Sequence, residues 1–249
     1  MRTVLDIEYK EGLAIDLYLP DEGEVFDLFV YFHGGGLEKG SRRGMRPFAE
    51  PLAARGVATA SVEYRMYPDA KFPDFIVDCA EAVAYMKAHI GEYGQCRRLY
   101  VGGSSAGGYL SMMLCFDRRY LEAVGMKPTD VDAYIHDAGQ PTSHFNVLKF
   151  GGVDSRRVIV DETAPMYFVG MDEEYSKMLF IVSDEDMFAR YEQTLLMVKT
   201  LEHFGHKDNV RLSYQHSKHC KYVNKIDEAG ESVFANIIMG FLEEVFPEG

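Results

Sequence analysis

The sequence predicts an α/β fold: a mainly parallel, eight-stranded sheet with helices on both faces and an antiparallel hairpin at its N-terminal end. Two segments of alternating apolar and polar residues open the chain, separated by Lys10-Glu11-Gly12, which is typical of a hairpin. Apolar runs of strand length then alternate with stretches of helical periodicity. The 249 residues suffice for one large domain, and no linker-like composition divides them.

Each predicted strand is a short alternating or continuous apolar run. The predicted strands are 4–9, 13–19, 27–32, 57–64, a run that ends at 103, 132–136, 177–182 and 210–214. The predicted helices are 46–55, 74–90, one that begins directly after 105, 189–201 and 233–245. The run 27–32 is apolar at almost every position, as expected of a strand that is buried on both faces.

The segment 140–163 is less regular than the rest of the chain. It contains a Gly151-Gly152 pair, mixed charges and scattered aromatic residues. Such a segment favours a loop or a small helical insert, and an insert at this point in an α/β chain can roof an active site. We therefore predict one domain over 1–249 with a small cap-like insert at 140–163, whose exposed surface is a candidate homodimer contact.

The composition excludes several classes of function. The net charge of -13 and the pI near 5.1 argue against nucleic-acid partners and anionic membrane surfaces, because both would repel the chain, and favour a small, neutral or weakly charged substrate. No apolar stretch approaches the roughly 18 residues of a membrane span. The N-terminus lacks the apolar core of a signal peptide. The four cysteines and the scattered histidines lack metal-ligand spacing, so we expect a reduced, cytoplasmic protein without a metal.

The segment Gly103-Ser104-Ser105-Ala106-Gly107 follows an apolar run and precedes an apolar helix. Gly-x-Ser-x-Gly between a strand and a helix is typical of a nucleophile elbow, in which the central serine stands exposed on a strained turn. Glycines flank that serine because side chains there would collide with the neighbouring strand and helix. Ser105 is therefore the candidate nucleophile. A glycine-rich turn without chemistry is the alternative interpretation.

A nucleophilic serine needs a base and an orienting acid, which an α/β sheet presents just past the carboxyl ends of its later strands. Asp184, Glu185 and Asp186 follow the predicted strand 177–182, and His216 and His219 follow the strand 210–214. We favour Asp186 because the acid is expected a few residues into its loop. We favour His219 because several loop residues are expected to carry the imidazole to the serine. The chain order serine, aspartate, histidine is that of the α/β-hydrolase triad.

Backbone amides that could hold an oxyanion come from two places. The run His33-Gly34-Gly35-Gly36 follows a buried strand and offers amides that no side chain blocks. Gly34 and Gly35 are the candidate donors there, and the amide of Ala106 is the complementary donor. A merely flexible glycine loop is the alternative interpretation.

Three motifs carry a resemblance to a known family. They are the His33–Gly36 run, the segment from Glu63-Tyr64-Arg65 to Phe72-Pro73, and the elbow Gly103–Gly108. Together they resemble the α/β-hydrolase esterases of the hormone-sensitive-lipase-like and the related feruloyl and acetyl esterase groups. The resemblance spans the chain from about Leu28 to His219, and it implies the fold and the chemistry more specifically than the substrate.

Two residues and one length depart from that family's pattern. Ser104 stands where many of these esterases carry an acidic residue or a histidine, and Glu63 replaces an aspartate. Only 32 residues precede His33, which leaves no room there for the long N-terminal cap of hormone-sensitive-lipase-like enzymes. The resemblance therefore favours the compact acetyl or feruloyl esterases, with a pocket that is open or roofed by the insert.

The sequence thus predicts a serine carboxylic-ester hydrolase that acts on short-chain acyl or aryl esters, including acetyl or feruloyl groups on carbohydrate. Ser105, His219 and Asp186 would form the triad, and His144 and Phe145 in the insert are candidate pocket residues. The mechanism needs no cofactor. Hydrolysis of a small amide, as by an arylformamidase or a peptidase, is the second hypothesis. A non-catalytic small-molecule receptor on the same fold is the third.

Overall fold

The computed structural model describes residues 1–21 and 25–247. An eight-stranded sheet runs through the centre of the molecule. The strands are β1 (Arg2–Lys10), β2 (Leu13–Leu19), β3 (Val25–Phe32), β4 (Val57–Val62), β5 (Gln95–Ser104), β6 (Ala133–Asp137), β7 (Lys177–Glu185) and β8 (Val210–Lys218). Each predicted strand corresponds to one of these, with shifted ends.

The sheet has the order β1-β2-β4-β3-β5-β6-β7-β8. β1 pairs antiparallel with β2, and β2 pairs antiparallel with β4. All pairs from β4 through β3 to β8 are parallel. The predicted α/β fold, with a mainly parallel sheet and an N-terminal antiparallel hairpin, is confirmed.

Helices cover both faces of the sheet. They are α1 (Arg46–Ala53), α2 (Asp74–His89), α3 (Ala106–Phe116), α4 (Arg119–Glu122), α5 (Phe145–Phe150), α6 (Arg190–His203) and α7 (Val233–Val245). Short 3-10 helices lie at Ile90–Glu92, Pro128–Asp130, Pro165–Phe168 and Lys207–Asn209. Successive side chains of β3 point to opposite faces: Leu28 and Val30 belong to the core with α2 and α3, whereas Phe29 and Tyr31 belong to the core with α1 and α7. The continuous apolar run of this strand therefore fills two cores.

Two strands extend beyond their predicted ends. β7 continues to Glu185 and β8 to Lys218, and the polar ends of these strands pair with each other, with Ser183 opposite Gln215 and Glu185 opposite Lys218. β8 is the last strand of the sheet and alternates between half-buried and exposed side chains along most of its length. The apolar pattern therefore ends before the backbone pairing does, which is why the sequence predicted shorter strands.

The parallel strands end at one edge of the sheet, as expected for this architecture. The segments that follow β3, β5, β6, β7 and β8 consequently meet there. The insert contributes α5, whose Asn146 and Lys149 side chains both donate to the carboxylate of Glu38, at 2.8 and 2.7 Å. Glu38 follows the glycine run, so α5 is attached to the segment after β3. None of the helices within 1–21 and 25–247 has the length and apolar character needed to cross a membrane.

Candidate active site

Ser105 lies on a strained turn between β5 and α3. Its backbone has φ 57° and ψ -112°, a conformation that side-chain-bearing residues rarely adopt. The flanking glycines make this turn possible: a Cβ on Gly107 would lie 1.9 Å from the carbonyl oxygen of Phe32, and one on Gly103 would lie 2.5 Å from that same oxygen. The turn thus presses against the end of β3, and only glycine fits at these two positions.

Ser105, His219 and Asp186 form one chain of hydrogen bonds. Nε2 of His219 lies 2.8 Å from Oγ of Ser105, and Nδ1 of His219 lies 2.5 Å from Oδ1 of Asp186. The side chain of Asp186 is only 1% exposed and that of His219 is 24% exposed. The backbone amide of Met187 also donates to Oδ1 of Asp186, at 2.6 Å. The imidazole is therefore held between a buried carboxylate and the serine hydroxyl.

Two of the other candidates, Asp184 and His216, pair with each other away from the serine. Nδ1 of His216 lies 2.8 Å from Oδ2 of Asp184, and the side chain of His216 is 84% exposed. The backbone amide of Ser217 donates to the same carboxylate, at 3.0 Å. Of the three candidate acids and two candidate histidines, the structure brings to Ser105 the two that the sequence analysis favoured, Asp186 and His219.

The expected reason for that choice was wrong. Asp186 and His219 were favoured because loop residues were expected to precede them, but β7 ends at Glu185 and β8 at Lys218. Both residues follow their strands directly. His216 and His219 are three positions apart, so the alternation of β8, continued by one residue, turns them to opposite sides. Asp184 and Asp186 are two positions apart, so alternation does not separate them; only Asp184 lies within β7.

The glycine run after β3 meets Ser105 at Gly34. A Cβ on Gly34 would lie 3.3 Å from Cβ of Ser105, and one on Gly35, whose φ is 125°, would lie 1.7 Å from the carbonyl oxygen of Lys39. The amides of Gly34 and Gly35 donate to no acceptor within the described residues. The amide of Ala106 begins α3, where a helix has no carbonyl of its own to receive it. None of the three predicted donors is used by another acceptor within the described residues.

A buried network beneath the serine was missed by the sequence analysis. Tyr31 donates to Oγ of Ser104 at 2.9 Å, and Ser104 in turn donates to the carboxylate of Asp137. The hydroxyl of Tyr222 donates to the other oxygen of that carboxylate. The carbonyl oxygen of Asp137 accepts the amide of Ser105 at 2.8 Å. The network connects the elbow, the end of β6 and the segment after β8.

Asp137 ends β6 and is completely buried. Burial raises the pKa of its carboxyl group from 3.8 to about 6, and the hydrogen bonds from Ser104 and Tyr222 oppose that rise. The rule that located Asp186, a polar residue at the carboxyl end of a strand, would have located Asp137 too. The departure noted at Ser104 is explained here: a serine at this position connects Tyr31 to the buried carboxyl group.

The two predicted pocket residues occupy different positions. His144 is 1% exposed, its ring stacks on Phe145, and its Nδ1 accepts the amide of Asn146 at 3.2 Å. Burial lowers the pKa of its imidazole, with a smaller contribution from the charge of Arg190. Phe145 lines an open cleft, whereas His144 does not. His144 thus caps and supports α5, while Phe145 is available to a ligand.

The site has no arrangement of side chains suited to a metal ion. Within residues 1–21 and 25–247, no three histidine, cysteine, aspartate or glutamate side chains lie together in a way that could hold one. Cys220 follows His219, and its sulfur lies 3.7 Å from Nε2 of that histidine. Burial raises the pKa of this thiol well above its ordinary value, so it stays protonated beside the imidazole.

Residues 15–148, which include the glycine run and the elbow, match the sequence profile of the BD-FAE family. The chain belongs to the BD-FAE family. The matched region covers more than half of the chain and ends within α5. Asp186 and His219 lie beyond it, so their assignment depends on the geometry described above.

Two curated relatives of this BD-FAE protein are hydrolases of different kinds. The chain is 39% identical over 82 residues to the probable carboxylic ester hydrolase LipM of Mycobacterium tuberculosis, which covers 32% of the chain and 19% of LipM. It is 29% identical over 116 residues to kynurenine formamidase of Danio rerio, which covers 45% of the chain and 39% of that enzyme. The aligned regions span less than half the length of these relatives.

Esterase 2 of Thermogutta terrifontis shares the fold over nearly the whole chain. Its propionate-bound structure superimposes with a TM-score of 0.79 at 19% identity, covering 98% of this chain and 94% of the esterase. The same esterase has been solved with butyrate bound and after phosphorylation by paraoxon. The resemblance to the α/β-hydrolase esterases that the sequence motifs indicated is confirmed.

Proposed function

We propose that this protein is a serine carboxylic-ester hydrolase that acts on short-chain acyl or aryl esters. The observation that carries the proposal is the chain of two hydrogen bonds, at 2.8 and 2.5 Å, that joins Ser105 through His219 to Asp186. A serine hydroxyl is a weak nucleophile until an imidazole accepts its proton, and the carboxylate selects the imidazole tautomer and stabilises its charged form. Membership of the BD-FAE family and the likeness to LipM support the same class of reaction.

In the proposed acylation step, Oγ of Ser105 attacks the ester carbonyl carbon while Nε2 of His219 takes the hydroxyl proton. The negative charge that develops on the carbonyl oxygen is received by the amides of Gly34, Gly35 and Ala106. Each such donor typically contributes about 3 kcal/mol of transition-state stabilisation. When the tetrahedral intermediate collapses, the alcohol leaves with the proton from His219, and the acyl group remains on the serine.

Deacylation repeats these steps with water as the nucleophile. His219 removes a proton from water, the resulting hydroxide attacks the acyl carbon, and the same three amides receive the oxyanion. The acid product leaves as the proton returns to Ser105. His219 carries out every proton transfer, Asp186 stabilises the charged imidazole, and the backbone amides bind the oxyanion, so this mechanism needs no cofactor.

The proposed substrates have a small acyl group or an aromatic group. Propionate and butyrate bind to Esterase 2 of Thermogutta terrifontis, which supports short acyl chains for a protein of this fold. Acetylated and feruloylated sugars are the natural esters to test first, since the motifs of this chain resemble those of acetyl and feruloyl esterases. The homodimer and the cytoplasmic location remain predictions.

Hydrolysis of 4-nitrophenyl acetate, butyrate and octanoate tests the proposal. We expect turnover of the acetate and butyrate by the wild type, and loss of several orders of magnitude in kcat for Ser105→Ala and for His219→Ala. His216→Ala is the matched control, because it removes an imidazole from the end of the same strand and should retain wild-type activity. Circular dichroism shows whether each variant is folded. An inactive wild type, or an active Ser105→Ala variant, would contradict the proposal.

Amide hydrolysis is the second candidate function. The likeness to kynurenine formamidase of Danio rerio favours it, and the same serine mechanism cleaves a formyl amide when the leaving amine receives the proton from His219. Parallel assays with phenyl formate and formanilide distinguish the two functions. A larger kcat/KM for formanilide would identify an amidase, whereas hydrolysis of the ester alone would support the esterase.

A further inference from the structure

A cleft of about 520 Å³ borders the candidate active site. On one side it is lined by Met187 and Phe188, which directly follow Asp186 in the chain. On the other side it is lined by Phe145, whose ring lies against the glycine run: a Cβ on Gly36 would lie 3.5 Å from Cζ of Phe145. The cleft therefore lies beside the residues that follow Asp186 and beside Phe145, which packs against the glycine run. Its volume is typical of a site for a small ligand.

The lining of this cleft is basic in an acidic protein. Three arginines line it, Arg156, Arg157 and Arg190, and no aspartate or glutamate does. The whole chain has 39 acidic residues against 26 basic ones. Each of four other clefts formed by the described residues includes at least one acidic side chain. This cleft thus has a local charge opposite to that of the protein.

Two of the three arginines have no acidic partner. Arg156 forms an ion pair with Asp154 at 2.6 Å. Within residues 1–21 and 25–247, no carboxylate lies within 4.0 Å of the guanidinium of Arg157 or Arg190. Arg157 is exposed at the rim of the cleft.

Arg190 is the buried member of the cleft, with only 3% of its surface exposed. Its guanidinium donates to the carbonyl oxygen of Ala138 and, at 3.3 Å, to the side-chain oxygen of Gln140. These neutral acceptors hold the side chain in place but do not neutralise its charge. The carboxylate of Asp186 attracts this charge from beyond 4.0 Å, and a bound anion in direct contact would further offset the cost of burying it.

An aromatic surface lies beside these charges. Phe188 is 93% exposed, which is unusual for a large apolar side chain. Phe145 and Val158 also line the cleft, so that apolar and cationic groups meet in one place. Binding of an aromatic ring would remove the exposed face of Phe188 from water.

We propose that this cleft binds an aromatic group that carries a carboxylate, as part of the ester substrate. The carboxylate would pair with Arg157 and Arg190, since the guanidinium fork matches the two oxygens of a carboxylate, and the ring would lie against Phe188. This inference rests on the proposed esterase function. It also differs from the expectation based on net charge, which favoured a neutral or weakly charged substrate, because the proposed substrate carries a carboxylate.

Matched substrates test the proposal. They are 4-acetoxybenzoate and 3-(4-acetoxyphenyl)propanoate, each compared with its uncharged primary amide. We expect kcat/KM for at least one anion to exceed that for its amide by about tenfold, and this ratio to fall by about tenfold in Arg157→Gln and in Arg190→Gln. Arg55→Gln is the control, because it removes the same charge from a different cleft, where Arg55 pairs with Glu243 at 3.2 Å.

The possible results separate the two proposals. Hydrolysis of both members of each pair with a ratio at or below one, or an equal fall of the ratio in Arg55→Gln, would overturn the anion site and leave the esterase standing. If neither member is hydrolysed, turnover of 4-nitrophenyl acetate decides on the esterase proposal, and calorimetric titration with 4-hydroxybenzoate and 4-hydroxybenzamide decides on the cleft. Binding of 4-hydroxybenzoate but not of 4-hydroxybenzamide, weakened in Arg157→Gln, would support the anion site. Equal binding of the two compounds, or binding of neither, would overturn it.

Discussion

The ends of β7 and β8 carry two aspartate–histidine pairs that differ in their surroundings more than in their geometry. The nitrogen–oxygen distance is 2.5 Å between His219 and Asp186 and 2.8 Å between His216 and Asp184. The side chain of Asp186 is buried and His219 contacts Ser105, whereas His216 is 84% exposed and faces solvent. An aspartate beside a histidine is therefore not sufficient evidence for a catalytic pair.

In the part of the chain that the structure describes, only the Asp186–His219 pair is connected to the elbow through a buried network. Tyr222 follows His219 by three residues and donates to Asp137, whose backbone holds the amide of Ser105. The segment after β8 is thereby connected to the nucleophile elbow through a buried carboxyl group. The exposed pair has no such connection within the described residues. In water, an ion pair of this kind contributes little to stability.

The largest expected effect is the difference in catalytic activity between substitutions of Asp186 and Asp184. We expect Asp186→Asn to lower kcat/KM for 4-nitrophenyl acetate by about 10³–10⁴-fold, because the imidazole loses the acceptor that selects its tautomer. Asp184→Asn changes the charge equally, two residues away, and should leave kcat/KM within about twofold of the wild type. Similar losses in both variants would show that the two pairs are not functionally different.

The buried carboxyl group should make stability depend on pH. Burial raises the pKa of Asp137 to about 6, so the folded state binds this proton more tightly than the unfolded state. The stability that this proton contributes is present below about pH 4 and is lost as the pH rises through 6.

Asp137→Asn removes the titrating group and provides the comparison. The free energy of unfolding of the wild type relative to Asp137→Asn should fall by up to about 3 kcal/mol between pH 4 and pH 7. Urea unfolding of both proteins across this range measures it. A difference that stays constant with pH would show that Asp137 does not change its protonation in this way.

Loss of the Tyr222 hydroxyl should have a smaller effect. In Tyr222→Phe one oxygen of the buried carboxyl group of Asp137 loses its donor, and we expect a loss of about 1–2 kcal/mol in the free energy of unfolding. Tyr214→Phe on β8 is the control, since Tyr214 is 44% exposed and should tolerate the change. Equal effects in the two variants would show that the hydrogen bond to Asp137 is not important.

The smallest effect is expected for His216→Ala. The exposed imidazole pairs with an exposed carboxylate, so the midpoint of thermal unfolding should change by less than about 2 °C. Differential scanning calorimetry at neutral pH measures this. A larger decrease would mean that the exposed pair holds the ends of β7 and β8 together.

The elbow and the glycine run could be predicted because their chemistry is local. Gly103 and Gly107 flank the serine in sequence, and the glycine run follows its strand directly. The buried network could not be predicted in the same way, because Tyr31, Ser104, Asp137 and Tyr222 come from four separate segments. No local pattern records that their side chains meet.

The amino-acid sequence alone determined the succession of the eight strands and the five longer helices along the chain, since periodicity and turn residues act over a few positions. It also supplied the elbow and the candidates for base and acid. Only the tertiary structure decided which histidine faces Ser105, because that depends on where β8 ends and on the alternation of its side chains. It also decided that three arginines line a cleft in a protein of net charge -13. Net charge is a sum over the chain, whereas a ligand meets only the groups that folding brings to one place.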